Sequence, residues 1–69
     1  MPQIVVLKTS RRILGEVQVC GNFIIVTGPS IYDHFKNVFA AATFEGSAPL
    51  GKITIPLQQV EMILEAKEP

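Results

Sequence analysis

The chain has few of the residues that build cross-links, metal centres or catalytic sites. Its 69 residues include one cysteine, one histidine, one tyrosine and no tryptophan. One cysteine cannot form a disulfide within the chain, and one cysteine with one histidine cannot complete a structural zinc site. Cys20 has no neighbouring histidine, and no serine or cysteine nucleophile motif accompanies the adjacent Asp33 and His34. We therefore predict no enzymatic activity, no cofactor and no metal.

Net charge and long apolar runs are also missing. Six Lys and Arg balance six Asp and Glu, which excludes a module that binds nucleic acid through bulk positive charge. The longest apolar runs, at 4–7, 23–26 and 38–42, fall far short of the ~20 residues that span a bilayer. No basic segment followed by a long apolar stretch opens the sequence, so we predict no signal peptide. With its unpaired cysteine, the chain is expected to be cytoplasmic.

The residues that are abundant favour strands. Apolar residues make up 48% of the chain and charged residues only 17%, which indicates a folded domain. Isoleucine, valine and threonine supply 8, 7 and 4 residues, and such β-branched side chains pack well on sheets. Glycine, proline and serine separate the apolar segments at short intervals. We predict one all-β domain over 1–69, with strands at 3–8, 12–19, 23–27 (resuming at 31–32), 37–44, 52–55 and 60–65. Pro29 cannot donate a hydrogen bond to a neighbouring strand, so we expect an edge or a bulge there.

Two of these strands carry more specific expectations. The first is apolar throughout, which predicts that both of its faces are covered. The second contains Gly15 on the same face as Ile13, Val17 and Val19, and a glycine there is typical of a bend or bulge.

The segment 38–44 contains no charge, proline or glycine. Left as a free edge, it would be a template for aggregation, and the strand of another copy is a simple cover for it. A chain this short buries only about 60% of its surface on folding, so a lone copy would have a thin core. Both observations predict a homo-oligomer.

Two segments resemble the sequence motifs of one family. Residues 4–17, IVVLKTSRRILGEV, resemble the first motif of Sm and LSm proteins: an apolar strand, a basic turn, then a glycine with a hydrophobic residue two positions later. Residues 50–63, LGKITIPLQQVEMI, resemble the second, which has Leu-Gly, alternating apolar residues and a short turn. The turn over 55–60 is similar to that of short Sm-like proteins carried by phages, including those of cyanobacteria.

The resemblance implies a small, strongly bent, five-stranded SH3-like barrel whose fourth and fifth strands pair between neighbours to close a ring. Such rings bind single-stranded RNA near the pore or on their faces, in the cytoplasm of a bacterium or phage-infected host. The oligomer interface predicted on this basis comprises Val38, Phe39, Ala40, Ala42, Phe44, Ile53, Ile55, Val60 and Met62.

The sequence also departs from the family pattern. Its first strand begins within the first few residues, where family members usually place a helix. Gly21, Phe23 and Ile25 stand where the family has aspartate, a base-stacking residue and asparagine, and Pro56-Leu57 replaces Arg-Gly. Of the family's uridine-binding positions only the base-stacking one is therefore kept, so the resemblance does not imply uridine-specific binding.

Aromatic and basic residues supply the candidate nucleic-acid contacts. Arg11 and Arg12 share a turn that suits phosphates, and the segment 32–37 mixes aromatic residues, a histidine and a lysine, as single-strand binding surfaces do. In a ring these cations repeat on one face, so a neutral chain can still present a basic surface. The predicted contacts are Arg11, Arg12, Asn22, Phe23, Tyr32, Lys36 and Lys52.

Three hypotheses follow. The first is an Sm-like ring that binds single-stranded nucleic acid, with RNA favoured and DNA as the alternative, and that has a role in RNA or DNA processing. The second is a structural or assembly adaptor ring that binds protein partners, with the cations as a solvated turn and the aromatic residues as covers for the barrel. The third is a monomeric SH3-like module that binds peptides.

Overall fold

The structure, a computed structural model, describes residues 2–43 and 48–65, which form a small all-β fold. Six strands lie in one antiparallel sheet, which confirms the predicted all-β class, and no helix in the described part is long and apolar enough to cross a membrane. The strand order is β4-β3-β2-β1-β6, with β5 also paired to β3. The elements are β1 (Gln3–Leu7), β2 (Arg12–Cys20), β3 (Phe23–Asp33), β4 (Val38–Ala41), β5 (Lys52–Pro56), a 3-10 helix (Leu57–Gln59) and β6 (Val60–Glu65).

The third strand is continuous from Phe23 to Asp33, so the predicted interruption between residues 27 and 31 is wrong, whereas the bulge expected at Pro29 is confirmed. A bulge keeps β3 in the sheet: the register with β2 shifts where Gly28 and Pro29 lie. Gly28 has a φ of 62°, which glycine adopts without strain, and its N–H donates to the Gly51 carbonyl at 2.8 Å. The Pro29 carbonyl accepts from the Ala42 N–H at 2.9 Å. Proline lacks only the donor, and here its acceptor is used.

One edge of β3 carries two strands in succession. β5 pairs with its first half and β4 with its second half, both antiparallel. After β4, the Leu50 N–H donates a hydrogen bond to the Ala42 carbonyl at 2.8 Å. β4 ends at Ala41, so it is shorter than the predicted strand 37–44. The sheet has six strands, one more than the five that the resemblance implies. Phe44 lies outside the described residues.

The sheet bends over its own core at Gly15. Val5 and Ile13 come from β1 and the start of β2, whereas Ile24, Val26 and Ile55 come from β3 and β5, yet all five form one buried cluster. The register of β2 and β3 shifts between Leu14 and Glu16, which confirms the irregularity predicted at Gly15. The core therefore lies between the two halves of a folded sheet.

No residue of β1 is exposed. Val5 on the core face is fully buried, and Ile4 and Val6 on the opposite face are half-buried. Coverage is thus complete at Val5 and partial on the opposite face, where the sequence predicts both faces to be covered. Val19 shares a face with Ile13 but is 61% exposed, because the pairing of β1 with β2 ends at Gly15.

Candidate functional site

Tyr32 is the centre of an aromatic and cationic cluster. Its ring meets the Phe39 ring edge to face, with centroids 5.3 Å apart, and the His34 ring likewise at 4.9 Å. The guanidinium carbon of Arg12 lies over the Tyr32 ring, 5.4 Å from its centroid. These four residues are called the Tyr32 cluster below.

Strand register places the Tyr32 cluster on the outer face of the sheet. Ile13 pairs with Ile31, so Arg12 and Tyr32 follow as neighbours on the opposite face from the core residue Ile13. Tyr32 pairs in turn with Phe39 on β4. A cation over an exposed aromatic ring contributes ~0.5–1 kcal/mol, enough to orient the guanidinium without burying it.

The loop after β3 is held in shape by its own side chains. The Asp33 carboxylate accepts hydrogen bonds from the N–H groups of Phe35 at 2.9 Å and Lys36 at 3.3 Å. Asn37 takes a left-handed φ of 57°, its N–H donates to the Asp33 carbonyl at 2.7 Å, and the Tyr32 hydroxyl donates to its side-chain oxygen. The loop 34–37 is therefore pre-organised beside the Tyr32 cluster.

Phe35 stands at the tip of this loop with its side chain fully exposed. It lies between His34 and Lys36, which are also exposed. The sequence predictions left Phe35 out of the binding residues, although an apolar aromatic residue between polar loop residues was the available signal. An exposed phenyl ring contributes little to folding, but it offers a face on which a base can stack.

The other predicted contacts divide into two groups. Arg11 adjoins Arg12 in the exposed turn before β2, and Lys36 is in the loop beside Tyr32. Asn22 and Phe23 lie at the far end of the β2–β3 hairpin, and nine strand residues at ~3.3 Å each place that end up to roughly 26 Å away. Lys52 pairs with Thr27 in the other half of the sheet. The structure thus unites Arg11, Arg12, Tyr32 and Lys36 but not the remaining three.

The turn between β2 and β3 contacts the segment 50–63, which resembles the second Sm motif. The Asn22 carbonyl accepts a hydrogen bond from the Leu57 N–H at 2.8 Å, and Phe23 pairs with Pro56. Phe23 is 39% exposed. The two loops in which the resemblance places base recognition therefore touch, with one partly exposed aromatic residue between them.

The predicted interface residues differ in accessibility. Ala42 and Ile55 are buried in the protomer, and Ile53 and Val60 pack against the core, so their side chains contribute mainly to the fold. Within the described chain, β4 has no partner on the edge away from β3, and β6 has none on the edge away from β1. The other predicted interface residues on these strands are exposed or half-buried: Val38, Phe39, Ala40 and Met62.

Across 2–43 and 48–65 no three His, Cys, Asp or Glu side chains converge on a common point, and no cavity is present. The Tyr32 cluster and its loop offer instead aromatic faces, cations and backbone groups on an open surface.

Neither known protein families nor curated proteins match the chain. The resemblance of its two segments to Sm and LSm motifs accordingly stays a prediction.

Proposed function

We propose that the chain is a non-catalytic, Sm-like protein that assembles through its edge strands into a ring and binds single-stranded nucleic acid, with RNA as the favoured ligand and single-stranded DNA as the alternative. The observation that carries this proposal is the position of Arg12 over the Tyr32 ring, beside a shaped loop that exposes Phe35 and Lys36.

These groups match the chemistry of an unpaired strand. A base that is not already stacked in a duplex can stack on an exposed aromatic ring, which is worth about 1–3 kcal/mol per base. Arg12, Arg11 and Lys36 supply positive charge for the phosphates that flank such a base. Because stacking tolerates any base, we expect weak sequence preference.

The free edges support assembly. The β4 edge is uncharged over Val38–Ala41, and β6 offers a second edge of six residues. The two edges differ in sequence, so pairing one with the other is head-to-tail, and head-to-tail contacts close into a ring when the rotation allows it. A ring would repeat the Tyr32 cluster on one face and thereby offset the zero net charge of each chain.

A binding titration tests the nucleic-acid proposal. Fluorescence anisotropy with oligo(U), oligo(A), single-stranded DNA and a blunt duplex, each at two salt concentrations, should show binding to the single strands that weakens with salt. Replacing Phe35 by serine should weaken binding roughly 5- to 100-fold, the equivalent of one stacked base. Absence of binding to every single strand at low salt would refute the proposal.

Two matched lysines provide the internal control. Lys36 and Lys52 are both exposed, but only Lys36 adjoins the Tyr32 cluster. Lys36→Ser should reduce the steepness of the salt dependence, whereas Lys52→Ser should leave it nearly unchanged. If both variants reduced the salt dependence equally, the binding surface would not be at the Tyr32 cluster.

One observation favours a second candidate, an adaptor ring that binds protein. The face of β6 that is opposite the core residue Ile63 carries two exposed apolar side chains, with Met62 46% exposed and Leu64 45% exposed. An assembled protein that fails to bind any single strand would support this candidate instead.

A further inference from the structure

Tyr32 contacts three parts of the protein through different parts of its side chain. The Arg12 guanidinium, from β2, lies over the Tyr32 ring, and the Phe39 ring, from β4, packs against it edge to face. The His34 ring makes a similar contact from the start of the loop that follows β3. The Tyr32 hydroxyl donates to the side-chain oxygen of Asn37 at the end of that loop. Tyr32 therefore links both neighbouring strands to the loop.

These contacts leave less of the Tyr32 ring for a base than Phe35 offers. A base stacks on an aromatic side chain by lying against the face of its ring. The Arg12 guanidinium lies over the ring of Tyr32, so a base could take that face only by displacing the cation. Tyr32 is half-buried, whereas the side chain of Phe35 is fully exposed. Phe35 is thus the better stacking surface, and the contacts of Tyr32 suit another role.

Each of these contacts restrains a group that the proposed binding site uses. An arginine side chain loses conformational freedom when a ligand fixes it, and the contact with the Tyr32 ring orients Arg12 in advance. Asn37 has a left-handed φ of 57°, and its side chain accepts from Tyr32 while its N–H donates to the Asp33 carbonyl. The end of the loop is thereby fixed, and less ordering is needed when Phe35 meets a base.

The shared contact also brings a cation and a stacking surface together. Arg12 and the loop that carries Phe35 both touch one side chain, that of Tyr32. A phosphate at Arg12 and a base on Phe35 would therefore belong to the same short segment of one strand. A base inside a duplex has no open face for Phe35, whereas an unpaired nucleotide offers both a phosphate and a base.

We propose that Tyr32 is a positioning residue: it holds Arg12 ready for a phosphate and Phe35 ready for a base of the same unpaired segment, and it is not itself the stacking surface. This inference rests on the proposed function and deepens it, because it assigns the phosphate and the base of the bound strand to different side chains. Tyr32, which the sequence predicts as a direct contact, acts through both of them.

Two probes separate the contribution of bases from that of phosphates. One is oligo(U), and the other is an abasic strand of the same length, which has the phosphates but no bases. Fluorescence anisotropy at several salt concentrations should show wild-type protein binding oligo(U) roughly fivefold or more tightly than the abasic strand. Phe35→Ser should bring the two affinities together. Arg12→Ser should weaken both probes alike and reduce the salt slope by about 0.7, the value for one phosphate of a single strand.

Tyr32→Phe decides between a positioning residue and a stacking surface. It keeps a ring beneath Arg12 but removes the hydroxyl that donates to Asn37. We expect oligo(U) to bind about 3- to 10-fold more weakly, the loss for one hydrogen bond, while the abasic affinity and the salt slope are kept. If Tyr32 were the stacking surface, phenylalanine would stack equally well. Wild-type affinity of this variant for oligo(U) would therefore overturn the inference.

Asn37→Gly removes the same hydrogen bond from its other partner. Glycine keeps the left-handed backbone without strain but lacks the side-chain oxygen. This variant should lose as much oligo(U) affinity as Tyr32→Phe, and the double variant should lose no more than either one, because both changes remove a single interaction. Fully additive losses would contradict positioning through this bond. Circular dichroism shows whether each variant is folded.

The outcomes distinguish this inference from the proposed function. Wild-type protein that binds neither probe at low salt refutes both. Wild-type binding with equal losses on the two probes in Tyr32→Phe indicates a general structural role for Tyr32; it overturns the positioning of Phe35 and leaves the proposed function standing. A loss confined to oligo(U), reproduced by Asn37→Gly, supports the inference.

Discussion

A Cβ atom added at Gly15 would lie 2.6 Å from Cγ1 of Val26, closer than two non-bonded carbon atoms approach in proteins. It would also lie 2.9 Å from the Thr27 carbonyl oxygen, which belongs to the backbone of β3 and cannot rotate away. Gly15 is thus the point at which β2 bends directly onto the core, where Val26 is fully buried.

Gly15→Ala should therefore destabilise the protein. Overpacking at a tight site costs about 1–3 kcal/mol, because neighbouring side chains and backbone must shift. Urea denaturation followed by circular dichroism measures the change.

Gly51→Ala is the matched control, since no atom lies within 4 Å of the added Cβ and its φ is not positive. Its effect should remain within about 0.5 kcal/mol. Similar losses of folding stability in the two variants would contradict the close approach of β2 and β3 at Gly15.

Replacing Ser10 by glycine is expected to increase the stability of the protein. It holds a left-handed φ of 73° in the turn between β1 and β2, a conformation that costs a residue with a side chain roughly 1–2 kcal/mol. Glycine removes that cost but loses ~0.5–1 kcal/mol through the greater freedom of its unfolded chain. Ser10→Gly should thus stabilise the protein by up to about 1 kcal/mol, seen as a higher urea midpoint.

The same substitution at Ser30 should act in the opposite direction. Ser30 lies inside β3, paired with Leu14 and Ala41, and has no positive φ to relieve. Glycine there should cost roughly 0.5–1 kcal/mol. A destabilised Ser10→Gly variant would contradict the turn conformation.

The positions of the strands were predictable because their causes are local. β-branched residues and the glycines and prolines between them place β2 and β6 within one residue of their predicted bounds. Pro29 predicts an edge or a bulge, and the structure has the bulge. That β3 continues through the bulge was not predictable, because a proline ends a strand only where its missing N–H donor is needed.

The Tyr32 cluster depends on register, which the sequence does not specify. Arg12 and Tyr32 are twenty residues apart, and they become neighbours only because the bulge at Gly28 and Pro29 inserts an extra residue on β3. A shift of one residue would turn Tyr32 to the other face. Residue types therefore identified these two side chains as candidates, but their contact, and the prominence of Phe35, required the fold.

Two substitutions at Asp33 distinguish the effect of loop shape on nucleic-acid binding from the effect of charge. Asp33→Asn and Asp33→Ala remove the same negative charge, but only asparagine keeps an oxygen that accepts from the Phe35 and Lys36 N–H groups. If the shaped loop matters, the alanine variant should bind oligo(U) about 3- to 10-fold more weakly than the asparagine variant, the loss expected for about 1 kcal/mol of hydrogen bonding. Equal affinities would show that Phe35 acts without pre-organisation.

Assembly through the β4 edge predicts a solution mass that is a multiple of the 7.6 kDa chain and falls when the edge is charged. Val38 is 51% exposed on this edge strand, and a lysine there is the device by which natural edge strands resist pairing. Val38→Lys should therefore shift light-scattering mass towards the monomer. Val19→Lys introduces the same charge at an exposed valine on β2 and should leave the mass unchanged. An exposed substitution alters folding stability little. If Val38→Lys is folded and monomeric, the loss of assembly is therefore due to the changed edge and not to unfolding.

A wild-type protein that is already monomeric would exclude both the nucleic-acid ring and the adaptor ring, and would leave the peptide-binding monomer.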